Sequence, residues 1–286
     1  MDSSTQDLNP ADRPTCAVCQ ARMREIYQAT ILGKYRVSYY YCESCGFLRT
    51  ERPYWLAEAY SSAIATSDTG LVNRNNQVSR QLAALLFLAF RADRESPWLD
   101  YAGGYGMLTR LMRDKGFNFF WSDKLATNLF AQGFEHKDGA TYAGVTAIEV
   151  LEHTEDPMAF LSSLSQFSQS RTVIFTTELC ASPPPRPEDW WYYGLNTGQH
   201  IAFFQERTLE AIATRLGVRY MRVGGLHVFS EQLPSSARAW LASGRLSVLL
   251  DFVAKRWLGS KTVADHELIV ARQGAASCAG EPRKNE

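Results

Sequence analysis

At 286 residues, with 45% hydrophobic and 21% charged side chains, the chain exceeds the usual single-domain length and is too apolar to be mainly disordered. Lys+Arg and Asp+Glu stand at 30 each, so the formal charge is zero, which argues against a dedicated binder of nucleic acid or anionic membrane. The longest unbroken apolar run, Leu82 to Phe90, is too short to span a bilayer.

Met1 to Pro14 is polar, with no apolar stretch of the secretory kind. A frayed leader over 1–14, a cytoplasmic location, reduced thiols and no membrane partner are the expectation. Cys16-Ala17-Val18-Cys19 and Cys42-Glu43-Ser44-Cys45 follow, separated by 22 residues. Reduced Cys-x-x-Cys pairs read as metal ligands, and Cys16, Cys19, Cys42 and Cys45 together make a tetrahedral thiolate set for one structural zinc ion. Four thiolates leave no open coordination position, so this zinc is not expected to be catalytic. The segment 15–50 is too small to fold on its own core and needs such a staple. Tyr35, Val37, Tyr39 and Tyr41 alternate between the pairs, the period of a strand. Over 51–96 a helical linker is expected. Its strongest stretch is Gln77 to Arg91, where Val78, Leu82, Leu85, Leu86 and Ala89 recur at helical spacing.

From residue 97 strands and helices alternate. Trp98 to Asp100 is a short strand, followed by a glycine turn and a helix with Leu108, Leu111 and Met112 on one face. Phe117 to Trp121 makes the next strand, ending near Asp123, with Val145 to Val150 and Thr172 to Thr177 after it. Asp156-Pro157 is a helix start, and Thr208 to Leu216, closed by Gly217, is another helix. Arg219 to Val223 and Glu267 to Ala271 read as the last two strands. This succession predicts an α/β fold with a doubly wound, mostly parallel sheet over 97–272, a helical insertion at about 236–257 and a fraying tail over 273–286.

In open α/β sheets ligands bind beyond the carboxyl ends of the strands. Asp100-Tyr101-Ala102-Gly103-Gly104-Tyr105-Gly106 stands at such a place. Gly104 and Gly106 begin a dinucleotide fingerprint, but Thr109 occupies its third glycine position, and no phosphate-loop lysine is present. Asp123, about twenty residues on, suits a ribose diol. A nucleoside ligand without pyrophosphate fits these residues.

The stretch Asp100 to Gly106 resembles the first motif of the class I S-adenosylmethionine (SAM)-dependent methyltransferases, with Ala102 in place of the first glycine. Val145 to His153 is similar to the family's fourth strand and the residues directly after it. The resemblance implies a Rossmann-like fold, SAM as donor, and cofactor binding by Asp100, Ala102, Gly103, Gly104, Gly106, Asp123 and Glu149. A zinc-ribbon head before such a core resembles the sugar C-methyltransferases, without their C-terminal domain. It implies a small-molecule acceptor, a sugar or glycan precursor methylated on oxygen or carbon.

Glu149, Glu152 and His153 form E-x-x-E-H, whose i, i+3, i+4 spacing converges on a helical turn. They read either as wall and loop of the cofactor pocket or, less favoured, as a magnesium site. His200 is the first candidate for a catalytic base, with His153 in reserve. Trp190-Trp191-Tyr192-Tyr193, beyond the proline-rich Ser182 to Pro187, offers rings to a substrate or to the loop's own packing. Two rival readings remain: a zinc-headed binding module with a degenerate core, suggested by Ala102, and a nucleic-acid methyltransferase, disfavoured by zero net charge. A nicotinamide-dependent oxidoreductase is disfavoured by Thr109.

Overall fold

A computed structural model describes residues 14–60, 68–236, 238 and 246–279. The expected leader therefore lies outside the described residues except for Pro14, as do 237 and 239–245 of the expected insertion and 280–286 of the tail. The chain forms two compact units, Met1–Asp68 with Gly144–Leu233 and Thr69–Ala143 with Pro234–Glu286. No helix among the described residues is long and apolar enough to cross a membrane.

The first unit opens with an antiparallel sheet of β1 (Arg24–Ile31), β2 (Tyr35–Tyr41) and β3 (Leu48–Thr50), extended by β8 (Ala202–Phe203) in the order β1-β2-β3-β8. The alternation along β2 places Val37, Tyr39 and Tyr41 inside. They share a core with Ile31, Trp55, Tyr192, Tyr193, Ile201 and Phe203, so the cysteine-bearing ribbon and the late loop 190–203 bury their apolar surface together. Each large ring so buried contributes about 2 kcal/mol. Trp55 belongs to the start of the short helix α1 (Leu56–Ala59).

The same unit holds β6 (Gly144–Ile148), β7 (Val173–Thr176), β9 (Arg219–Val223) and β10 (Leu226–Ser230) in the order β6-β7-β10-β9. β6 and β7 are parallel, whereas β10 runs antiparallel to both its neighbours. Helix α4 (Pro157–Ser165) begins as expected, with the Asp156 carboxylate accepting from Ala159 N–H at 2.9 Å. Helix α5 (Glu206–Leu216) ends at Gly217.

The second unit contains helix α2 (Leu71–Ala84), continued by a π turn over Leu85–Ala89, and the parallel pair β4 (Pro97–Tyr101) and β5 (Asn118–Ser122). Helix α3 (Met107–Asp114) connects that pair, and helices α6 (Leu246–Leu258) and α7 (Thr262–Ala279) close the unit. The expected strand Glu267 to Ala271 is a correction: it lies within α7. Asp265 pairs with Arg113, Ile269 sits against Gly133, and Arg272 donates to Gly133 O, a spacing of i, i+4, i+7 on one helical face. A short apolar run cannot by itself distinguish the two periods. The missing strand is β10, joined to β9 through Gly224-Gly225, a pair typical of tight hairpins. The helix α7 also runs to Ala279, through part of the tail expected to fray.

Candidate active site

The glycine turn belongs to the second unit. β4 delivers Asp100, which is fully buried and accepts from Thr109 Oγ1 at 3.0 Å. Thr109, the residue that breaks a dinucleotide fingerprint, thus ties α3 to the acid beneath the turn. A Cβ on Gly103 would stand 2.7 Å from Asp100 Oδ2, so only glycine lets the chain pass over that carboxylate. Ala102 adopts φ 54°, the left-handed conformation a glycine would take without cost. Around Gly104 the space is open to 4 Å, whereas Gly106 is closed in by Asn128 and Ala131. Asp123 accepts from Gly104 N–H at 2.9 Å and from Leu125 and Ala126 N–H at 2.7 and 2.8 Å. The acid expected for a ribose also braces the turn. Trp121, unremarked in the sequence, donates its indole N–H to Gly104 O at 2.8 Å.

A second constellation belongs to the first unit. Glu149 follows directly on β6 with φ 56° and is held by Thr176, whose hydroxyl donates to its carboxylate at 2.7 Å and accepts from its N–H at 2.9 Å. The following 3-10 turn, Leu151–His153, carries Glu152 and His153. His153 Nδ1 lies 3.0 Å from Gln199 O, and His200 Nδ1 lies 2.6 Å from Tyr192 O. A carbonyl can only accept, so both Nδ1 atoms donate, and in a neutral ring Nε2 then carries the lone pair. The two rings are 4.8 Å apart, and Tyr192 packs 4.5 Å from His200.

Glu152 is completely buried, and neither carboxylate oxygen has a hydrogen-bond partner among the described residues. Burial and the charge of Glu149 push its carboxyl up to about 7, while His200 pulls the other way. Burial holds the His153 imidazole below its ordinary value. Ligand atoms of Glu152, His153 and His200 all lie within 4.8 Å of one another. This revises the expected E-x-x-E-H trio: Glu149 is engaged by Thr176, and the third member comes from a loop 47 residues further along. Two imidazoles and one carboxylate suit a divalent transition ion better than magnesium, which prefers oxygen.

Of the four loop aromatics, Tyr192 and Tyr193 are buried and only Trp191 is largely exposed, at 79%. The Tyr27 and Tyr193 hydroxyls donate to Pro184 O and Pro185 O, both at 2.8 Å, and pin the proline loop. Cys16, Cys19, Cys42 and Cys45 come together in the ribbon, with their sulfurs all within 4.8 Å of one another. The contacts Cys16–Cys45 and Cys19–Cys42 measure 3.6 and 3.4 Å, near the roughly 3.8 Å sulfur–sulfur edge that tetrahedral Zn–S bonds of about 2.3 Å require. The donor set fits zinc.

The family of methyltransferase domains matches residues 73–223, just over half the chain. Comparison with curated proteins finds no match. Among solved structures, an O-methyltransferase family 2 protein from Planctomyces limnophilus in complex with apigenin is similar at 14% identity and TM-score 0.44. The likeness covers 61% of this chain and 64% of that one, just under two thirds of its length. Magnesium protoporphyrin IX methyltransferase from Synechocystis with bound SAM is similar at 13% identity and TM-score 0.38, over 63% of this chain and 93% of that one. CalO1, a methyltransferase in calicheamicin biosynthesis in its SAH-bound form, is similar at 15% identity and TM-score 0.42, over 60% and 59%.

Proposed function

Because this chain belongs to the S-adenosylmethionine-dependent methyltransferases and has their Rossmann-like class I fold, we propose that it methylates a small molecule, with a sugar or glycan precursor as the acceptor class. The observation that carries donor binding is Ala102, which holds the left-handed conformation of the glycine it replaces. A turn released from function would relax to a conformation that alanine prefers, so the substitution does not mark a degenerate core.

Bound SAM supplies an electrophilic methyl carbon on a sulfonium. The chain's own residues align and deprotonate. Asp100, through Thr109, would fix the turn beneath the adenosyl moiety; Gly104, with open space around it, would let the backbone approach that group, while Gly103 and Gly106 let the turn close over Asp100 and against Asn128 and Ala131. Asp123 Oδ2 keeps one lone pair beyond the three backbone donors and would accept from one ribose hydroxyl. His200 Nε2 takes the proton of the acceptor hydroxyl, and its Nδ1–H bond to Tyr192 O keeps the ring in the required tautomer. His153 shares that tautomer and stands in reserve. Glu152, buried beside them, stabilises the imidazolium that forms.

Calorimetry of the full chain with SAM tests this reading. One equivalent bound, displaced by S-adenosylhomocysteine, is expected. No heat and no thermal shift would overturn it in favour of a zinc-headed binding module.

The unpartnered oxygens of Glu152 favour one variation, in which a divalent ion occupies Glu152, His153 and His200 and lowers the pKa of the acceptor hydroxyl. Manganese titration, followed by its paramagnetic signal, is expected to show one site that Glu152→Gln removes. No manganese uptake leaves His200 acting alone.

A further inference from the structure

Segment 195–201, which carries His200, has almost no regular structure of its own before β8. Four hydrogen bonds from the N-terminal part of the chain hold it. Leu32 N–H donates to Leu195 O, the Trp55 indole to Gly198 O, and Gln199 Nε2 to Ala59 O, each at 2.8 Å, while Thr50 N–H donates to Ile201 O at 3.0 Å. Gly198 has φ 65°, and a Cβ there would stand 2.7 Å from Ile31 and 3.2 Å from Leu32 and Trp55. The loop is seated on the ribbon with no room for a side chain.

The other side of the segment faces the acid turn. Ile201 N–H donates to Glu152 O at 2.9 Å, so one residue bonds Thr50 with its carbonyl and Glu152 with its amide. Gln199 likewise offers its carbonyl to His153 and its side chain to Ala59. On the ribbon side β3 starts three residues after Cys45, pairs with β8, and is held by Thr208 Oγ1 donating to Cys45 O at 2.8 Å.

We propose that the cysteine-bearing ribbon, through Leu32 and Thr50, and the α1 segment that follows it, through Trp55 and Ala59, form the frame that positions His200 against Glu152, so that the metal load of the ribbon governs the geometry of the acid–imidazole cluster. The proposal gives the head a role beyond stability: a metal ion on Cys16, Cys19, Cys42 and Cys45 fixes the sheet β1-β2-β3-β8, and the sheet fixes the register of 195–201. Trp55 and Gln199 are positioning residues. The catalytic consequence rests on His200 being the base; the positional claim does not.

Histidine-labelled full-length protein tests the claim without an identified acceptor, since only five histidines contribute signals. The His200 resonance is assigned by its loss in His200→Asn. Trp55→Phe keeps an aromatic ring, removes the donor to Gly198 O and leaves a smaller side chain at a buried position. It is expected to move or broaden the His200 signal while SAM affinity stays within about twofold. Gln199→Leu, which removes the bond to Ala59 O, is expected to do the same and replaces Trp55→Phe if that variant does not fold. Stripping the thiolate-bound metal with a chelator, followed by metal analysis, is expected to disperse the His200 signal as well. An unmoved His200 signal in both variants and after stripping overturns the proposal, as does a SAM affinity that falls in step with the signal. A displaced signal in Trp55→Phe together with unchanged turnover in His200→Ala discards the base and leaves the frame standing.

Discussion

The glycine turn and the acid–imidazole cluster reach functional geometry by opposite means. The turn is mostly main chain: between Asp100 and Gly106 the shape comes from backbone angles, and side chains such as Asp123 and Trp121 brace it through bonds to Gly104. The cluster is all side chain, with Glu152 from a 3-10 turn and His200 from a loop, each oriented by carbonyls or amides elsewhere in its unit. A site built from backbone tolerates few residue types but needs few partners. A site built from side chains depends on whatever holds the separate pieces, which for segment 195–201 is largely the ribbon and the α1 segment.

The two units also differ in what secures their outer parts. In the turn's unit, α7 is fastened by a buried ion pair: Arg113 meets Asp265 through two bonds of 2.8 and 2.6 Å and lies 3.6 Å from the Phe134 ring centroid. The ribbon's unit is held instead by packed aromatics around Tyr39, Tyr193 and Phe203. The largest expected effect breaks the first of these. Arg113→Met should cost about 3–5 kcal/mol, because buried Asp265 loses its two-bond partner and keeps only Arg110 at 2.9 Å, while Phe119 O and Asn118 lose the same donor, and thermal unfolding with SAM calorimetry would measure it. A loss below about 1 kcal/mol would show that the pair is not what holds α7.

Next comes the turn itself. Gly106 has φ 85°, and a Cβ there would meet Asn128 Oδ1 at 2.7 Å. Gly106→Val should therefore weaken SAM binding by about 10²-fold or more, near 3 kcal/mol, without moving the His200 signal. Equal damage to both would mean that the two constellations are not built separately.

Legibility in the sequence divides along the same line. Asp100, Gly103, Gly104 and Gly106 stand within seven residues of each other, and Cys16, Cys19, Cys42 and Cys45 come in two local pairs, so spacing alone could group them. Glu152 and His200 are 48 positions apart, and no period connects them. Helical spacing groups Glu149 with Glu152 and His153, whereas its φ of 56° and the 3-10 turn that follows send its carboxylate to Thr176. Tyr192 was visible as one of four rings, but its carbonyl, the atom that matters to His200, has no sequence signature. Gly224-Gly225 marks the hairpin that leads into β10, whereas the four-residue apolar run Leu268 to Ala271 suits the period of a strand or a helix, and the structure makes it helical.

His200→Ala addresses the cluster directly. Turnover should fall by roughly 10²-fold while SAM affinity stays near that of the unaltered chain, since the bonds that brace the turn come from Asp123, Thr109 and Trp121. Single-turnover methyl transfer to any accepted small molecule is the measurement. Unchanged turnover would remove His200 from the chemistry and leave His153 or a bound ion to take the proton.

The smallest effect is the most pointed, because it asks whether the turn has kept its shape against its own sequence. Ala102 stands in the left-handed region, where an alanine pays roughly 1 kcal/mol that a glycine does not. Ala102→Gly enlarges the freedom of the unfolded chain, which offsets part of that gain, so the net stabilisation should be a few tenths to about 1 kcal/mol, with SAM affinity equal or slightly higher. Denaturant unfolding resolves the first and calorimetry the second. Destabilisation would mean that Ala102 makes packing contacts worth more than its strain, and the turn would then have been rebuilt around alanine rather than preserved in spite of it.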